Sequence, residues 1–353
     1  MKIIHLADVH LGASLQNLPN EQSKLRKREI IDSFFQVLDY GKEQGVQAII
    51  IAGDFFDKNT IAYSLKKEIM DKITKVGIDV LYLRGNHDNK IEIEMDIKPS
   101  NLKMFDVDGD WTYFSYPNNV VIAGIDINKQ SNQEFYDKLE LEKKNFNIVV
   151  LHGSKDAIQL DNLKSKNIDF IALGDKHIPD IKEFKLDIRG KYGYSGCLDG
   201  RGFDDPVEHG FFVLEVDGTK YKRTFISVGK RKYETIAVSI TGCENHSDIE
   251  ENINKKLAKV DKNNILRIEL TGKCKSIIQK DLIALEAKLK EVYFYVKLQD
   301  KSTLDLEELI DTNDISLRNE FLKIAKDSGI AEEKIDKIIE YGIKALTGEI
   351  IEI

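Results

Sequence analysis

A chain of 353 residues, 42% of them hydrophobic and 32% charged, is longer than one core usually organises, so two domains with room for a helical appendage are expected. A formal net charge of −8 and a pI near 5.6 argue against a general basic surface for nucleic acid, while leaving open a local basic groove or a basic partner. No run approaches about eighteen uncharged apolar residues and no signal region precedes the first apolar run; Cys197, Cys243 and Cys274 are too far apart for a disulfide framework or a zinc ribbon, so a soluble, cytoplasmic protein with no membrane contact is expected.

In chain order, "KIIHLA" (2–7), "VQAIIIA" (46–52), "IDVLYLR" (78–84), "NVVIAGID" (119–126), "FNIVVLH" (146–152) and "IDFIALG" (168–174) read as short, β-branched strands. Helical spacing predicts helices over 21–44, with Ile30, Ile31, Phe34, Phe35 and Leu38 on one face, and over 61–76. Strands apolar on both faces and separated by helices imply a layered α/β core. "YGYSG", "GFFVLEV" and "YKRTFISV" extend the sheet to about residue 228, with turns at Gly210 and Asp217–Gly218. A second unit then follows as strand 233–240, helix 247–259, strand 264–270, helix 276–290 and strand 292–298, and the tail predicts helices over 315–327 and 331–346.

Five strands end in residues able to bind a metal. Asp8 and His10 follow the first, Asp54 and Asp57 the second, and Asn86, His87 and Asp88 the third; His152 ends "NIVVL", and Asp175 and His177 follow "FIALG". Ligands of open α/β sheets sit outside the carboxyl ends of the strands, so these groups can converge on one crevice. Asp8 and His10, two apart, leave an extended chain on the same face, and so do Asp175 and His177. Taken singly, Asp54 is more often a cap or turn residue and His152 a hydrogen-bonded core histidine. Five such coincidences, using four of the seven histidines, outweigh those readings.

The blocks "DVH" (8–10), "GDFFD" (53–57), "GNHD" (85–88), His152 and "GDKH" (174–177) resemble, in order and spacing, the signature of the calcineurin-like metallophosphoesterases. "ADVHLGA" with "GDFFD" looks most like the SbcD or YhaO type of DNA repair exonuclease. The resemblance implies a layered β-sandwich core with helices outside at 1–228, an α+β capping domain at 229–303 and a helical segment at 304–353 that docks on a partner. It implies one metal on Asp8, His10, Asp54 and His177, and a second on Asp54, Asn86 and His152, with Asp175 standing where the family usually has histidine. His87 would face the scissile phosphate, with Asp57 orienting its ring. The ions would be two divalent metals, Mn2+ first, with Fe, Zn or Mg tolerated.

The function so implied is phosphodiester hydrolysis as a DNA exonuclease or endonuclease in double-strand break repair, beside an SMC-like coiled-coil ATPase of the SbcC type. A homodimer is compatible with it. Two other readings stand: a stand-alone phosphatase or small-molecule phosphodiesterase, and a catalytically weak DNA-end-binding module suggested by Asp175. Arg201 in "DGRGFDD" is a substrate-contact candidate, and Lys220, Lys222, Arg223, Lys230, Arg231 and Lys232 read as a solvated turn or as a phosphate-backbone contact. Leu317, Phe321, Ile324, Ile335, Ile338, Ile339 and Ile343 pack on a partner coiled coil or on their own domain.

Overall fold

The computed structural model describes every residue except 16–17, 58–60, 89, 106–109, 127–132, 275–279, 306–309, 311–313, 331 and 348–353. The chain forms two compact units, Met1–Tyr233 and Glu234–Ile353. Arg231 and Tyr233 belong to the first because Arg231 binds Glu29 and the Tyr233 ring packs edge-on against Phe203.

The first unit opens with β1 (Lys2–Leu6), α1 (Asn20–Glu43), β2 (Ala48–Ala52), α2 (Tyr63–Val76), β3 (Asp79–Leu83) and β4 (Leu102–Met104). It continues with β5 (Thr112–Tyr116), β6 (Val120–Gly124), α3 (Gln133–Asp137), β7 (Phe146–His152), β8 (Phe170–Gly174), β9 (Phe184–Lys185), β10 (Lys191–Tyr194), β11 (Gly210–Asp217) and β12 (Lys220–Ser227). Two six-stranded sheets result, ordered β12-β11-β1-β2-β3-β4 and β5-β6-β7-β8-β10-β9. β1 to β4 pair in parallel in the first, and β6, β7, β8 and β10 in the second. Strands β4 and β5 fall between the predicted runs.

The two-faced burial of these strands explains their uninterrupted apolar sequences. In β2, Ala48, Ile50 and Ala52 join Ile3, Leu81, Ile148, Val150 and Phe170 in the layer between the sheets. Ile49 and Ile51 turn the other way, onto Ile30, Phe34 and Leu38 of α1 and Ile69 and Ile73 of α2. Helix α2 stops where Gly77 takes φ 73°, a left-handed cap whose amide returns to Ile73 O. This sandwich fixes the strand ends; truncating a side chain such as Phe34, fully buried, would cost about 3–5 kcal/mol.

The second unit holds β13 (Tyr233–Ser239) from Glu234 on, α4 (His246–Leu257), β14 (Ile265–Thr271), β15 (Lys273–Cys274), α5 (Leu282–Val292), β16 (Tyr295–Asp300) and β17 (Thr303–Leu304). Its main sheet runs β13-β14-β16, with β14 and β16 parallel. Asn245 caps α4 in a reciprocal box with Asp248. The predicted start of the second helix, 276–279, lies outside the described residues. The tail helices α6 (Leu317–Asp327) and α7 (Glu332–Thr347) bury Leu322, Ala325, Ile335 and Ile339 together, with Phe321 and Ile343 alongside. Leu317, Ile324 and Ile338 stay exposed, so the stripe read from the sequence is divided between a local core and solvent.

Candidate metal centre

The polar turns that follow the parallel strands of the first unit are laced together. The Asp8 amide donates to Gly53 O at 3.1 Å and the His10 amide to Asp54 O at 2.9 Å, so the segments after β1 and β2 run side by side. The Gly153 amide donates to Gly174 O at 3.1 Å and joins the segments after β7 and β8. Asp8, His10, Asp54 and Asp175 have φ values of 51°, 50°, 50° and 103°, a left-handed region that costs a side-chain-bearing residue roughly 1–3 kcal/mol. Four such residues in one place mark a backbone held for what its side chains do. Two glycines provide the space: a Cβ on Gly53 would lie 2.0 Å from His152 Nδ1, and one on Gly85 would lie 2.0 Å from Asp54 Oδ1.

The tautomers follow from the neighbours. His152 Nδ1 lies 2.8 Å from Ala52 O, which can only accept, so the proton is on Nδ1 and Nε2 carries a lone pair. That Nε2 faces the Asn86 amide oxygen at 2.9 Å, Asp54 Oδ2 at 3.6 Å and Asp175 Oδ1 at 3.8 Å. His10 Nδ1 faces Asp57 Oδ1 at 3.2 Å, which turns Nε2 inward. Fully buried, His10 Nε2 finds no hydrogen-bond partner among the described residues and points at Asp54 Oδ2 (3.7 Å) and Asp8 Oδ1 (4.0 Å). Asp54 thus offers one oxygen to both histidines, while its Oδ1 accepts from the His87 amide at 2.9 Å.

Converging lone pairs with no proton between them suit cations. Asp8, His10 and His177 bring ligand atoms within 4.8 Å of one another, and so do Asp8, Asp54 and His152. Burial pushes the Asp8 carboxyl up to about 6, with the Asp54 carboxylate adding to the rise, and a divalent ion would relieve that penalty. Burial also pushes His10 down to about 4, leaving it a neutral nitrogen ligand near pH 7. The donor set of carboxylates, an amide oxygen and imidazoles fits divalent first-row metals.

Asp57 Oδ1 sits between three cationic or donor groups: His10 Nδ1 at 3.2 Å, His87 Nδ1 at 3.3 Å and Arg201 Nη1 at 3.2 Å. The His10 contact, helped by Arg201 and His87, holds its carboxyl below the usual range against the opposing effect of burial. Arg201 also places Nη2 3.1 Å from His177 Nε2, so this residue is part of the cluster. The His87 side chain is 42% exposed, in contrast to His10 and His152, and presents its ring to solvent.

Sequence reasoning missed several supports. Asp88 is a clamp: its carboxylate accepts from the amides of Phe55 (2.8 Å), Phe56 (3.1 Å) and Gly85 (2.6 Å) and from the Tyr82 hydroxyl (2.6 Å). Asp205 Oδ1 lies 3.5 Å from His177 Nδ1 and raises that imidazole's pKa; the acids flanking Arg201 in "DGRGFDD" were the available signal. Behind that loop, buried Arg26 binds Asp199 Oδ1 (2.8 Å), Gly200 O (3.0 Å) and Glu29 Oε2 (2.7 Å), and Ser33 Oγ donates to Asp199 Oδ2 (2.8 Å). The basic cluster near 220–232 is largely spent inside the first unit. Arg223 gives its guanidinium to Asp180 O and Tyr194 O, Lys230 and Arg231 meet Glu29, and Lys232 meets Glu208.

The calcineurin-like phosphoesterase family profile matches residues 1–200. The DNA double-strand break repair protein Mre11 of Sulfurisphaera tokodaii is 25% identical over 316 residues, covering 80% of this chain and 76% of that protein. Mre11 of Aeropyrum pernix is 27% identical over 226 residues, 56% of this chain and 53% of that one, so the chain spans about half of it. The SbcD component of the SbcCD nuclease of Staphylococcus saprophyticus is 36% identical over 95 residues, 26% of this chain and 23% of that protein.

Proposed function

The chain belongs to the calcineurin-like phosphoesterase family, and from that premise we propose that it is a DNA nuclease of double-strand break repair, using two divalent ions and working beside an SMC-like coiled-coil ATPase of the SbcC type. The observation that carries this reading is the convergence of lone-pair-bearing donors from five strand ends around Asp54, with Asp8, His10, Asp54 and His152 buried. Asp8, His10, Asp54 and His177 would hold one ion, and Asp54, Asn86, His152 and Asp175 the other. The names of the Mre11 and SbcD relatives support DNA as substrate and break repair as context. Manganese suits the mixed donors. No helix among the described residues is long and apolar enough to cross a membrane.

Bound there, the ions supply water activation and charge neutralisation at the phosphate. The protein's own part is positioning. Asp57, 3.3 Å from His87 Nδ1, fixes that ring so that Nε2 faces the substrate side. Protonated, His87 would hydrogen-bond a phosphoryl oxygen and pass its proton to the oxygen that leaves when the P–O bond breaks. Arg201 adds a fixed positive charge beside Asp57, suited to the charge that develops on the phosphoryl oxygens.

The test uses the full chain, stripped with a chelator and resupplied with Mn2+, alone and with its ATPase partner. Cleavage of end-labelled duplex DNA and of bis-p-nitrophenyl phosphate is expected. Hydrolysis of p-nitrophenyl phosphate alone would point to a monoesterase and overturn the nuclease reading, and inactivity on all three would overturn hydrolysis itself.

A further inference from the structure

The two donor sets that share Asp54 are chemically unequal. On one side stand Asp8 and His10, fully buried, with His177: with Asp54, two carboxylates and two imidazoles. On the other, His152 Nε2 faces three oxygens, from Asn86 at 2.9 Å, Asp54 at 3.6 Å and Asp175 at 3.8 Å. That side has two carboxylates, one amide oxygen and a single imidazole. It also opens to solvent, since the Asp175 side chain is 34% exposed.

Resting on the two-ion reading above, we propose that Asp175 makes this second site selective for a hard, oxygen-preferring divalent ion such as Mn2+ or Mg2+, while the first takes a softer ion such as Zn2+ or Fe2+. The chain then holds two different metals. Carboxylate, carbonyl and water ligands suit Mg2+ and Mn2+, whereas imidazole suits Zn2+ and Fe2+, so the identity of one donor shifts the balance. Hard ions also keep several waters, which the exposed Asn86 and half-exposed Asp175 of this side accommodate. The Asp175 backbone is anchored independently of its side chain: its amide donates to both oxygens of Asp8, at 3.2 and 3.0 Å. Replacing the side chain therefore changes the donor while leaving the turn tied to the first site.

The experiment reads bound metal, not turnover. Chelator-stripped full chain is incubated with Zn2+ and with Mn2+ in about hundredfold excess, which offsets the greater intrinsic affinity of Zn2+, then desalted. Elemental analysis should find one Zn and one Mn per chain, and the Mn2+ electron paramagnetic resonance signal should be that of an isolated ion. Asp175→His should take up two Zn and lose the Mn signal, with the Zn-over-Mn preference at that site rising by about tenfold or more. Asp175→Asn, which keeps an oxygen donor and loses the charge, should retain Mn over Zn but bind it more weakly. Two Zn in the unsubstituted chain, or metal contents unchanged in both variants, would overturn the proposal. Uptake of the mixed pair without DNA cleavage would leave it standing and overturn the nuclease function instead.

Discussion

Both units contain parallel strands whose ends carry acids, and the fate of those acids differs. In the second unit, Asp300 at the end of β16 takes Lys280 Nζ at 2.6 Å, and Glu269 of β14 takes Lys301 Nζ at 2.6 Å. Asp8, Asp54 and Asp175 in the first unit instead meet imidazoles and backbone amides, on turns three of which place an acid in the left-handed region. An acid answered by a lysine is finished structure. Buried Asp8 and Asp54, with the His10 and His152 rings converging on one Asp54 oxygen, are donors suited to cations that the chain itself does not supply.

Substitutions sharpen this contrast to different degrees. The largest effect is expected from His87→Ala, which should lower phosphodiester hydrolysis by roughly 10²–10⁴-fold while elemental analysis shows unchanged metal content. Lost metal in that variant would place His87 among the ligands. Next comes Arg26→Ala: it leaves Asp199 buried without its guanidinium, while Glu29 keeps Arg231, and urea unfolding of the first unit should report a loss of about 3–5 kcal/mol.

A pH effect of similar or smaller size is expected in chelator-treated protein. The Asp8 carboxyl has its folded pKa near 6, above the ordinary 3.8. Its contribution to stability is therefore fully present below pH 3.8 and is lost as pH rises through 6, a change of roughly 3 kcal/mol. Thermal melts of the chelated chain should show this slope, Asp8→Asn should flatten it, and saturating Mn2+ should remove it. The smallest effects belong to the second unit. Asn245→Ala removes the α4 cap and should cost about 1 kcal/mol, and Lys280→Ala, at a partly exposed pair, less than about 1 kcal/mol. Neither should alter bound metal, and a change in metal content from either would break the comparison.

The strand ends were legible because the fold writes them locally. A β-branched run, a glycine and a polar residue recur at Gly53–Asp54, Gly85–Asn86 and Gly174–Asp175, and each signal spans fewer than ten residues. The supports were not. Arg26 and Asp199 are 173 positions apart and Asp57 and Arg201 are 144 apart, so nothing local announces either pair. Asp88, next to His87, looked like another candidate ligand, yet three backbone amides and Tyr82 consume its oxygens. The half-exposed strand β5 alternates too weakly to stand out as an apolar run. Arg223 looked like surface charge, and only the folded chain shows its guanidinium 3.2 Å from the centroid of the Phe212 ring.

The most direct test of the central claim, that these strand ends form a metal-dependent phosphodiesterase centre, is a Mn2+ titration of chelator-stripped chain, reading bis-p-nitrophenyl phosphate hydrolysis beside bound metal. Activity that rises with metal occupancy and disappears in Asp54→Asn, the residue shared by both histidines, is the predicted result. Hydrolysis that is indifferent to Mn2+, or that survives in Asp54→Asn with metal lost, would contradict it.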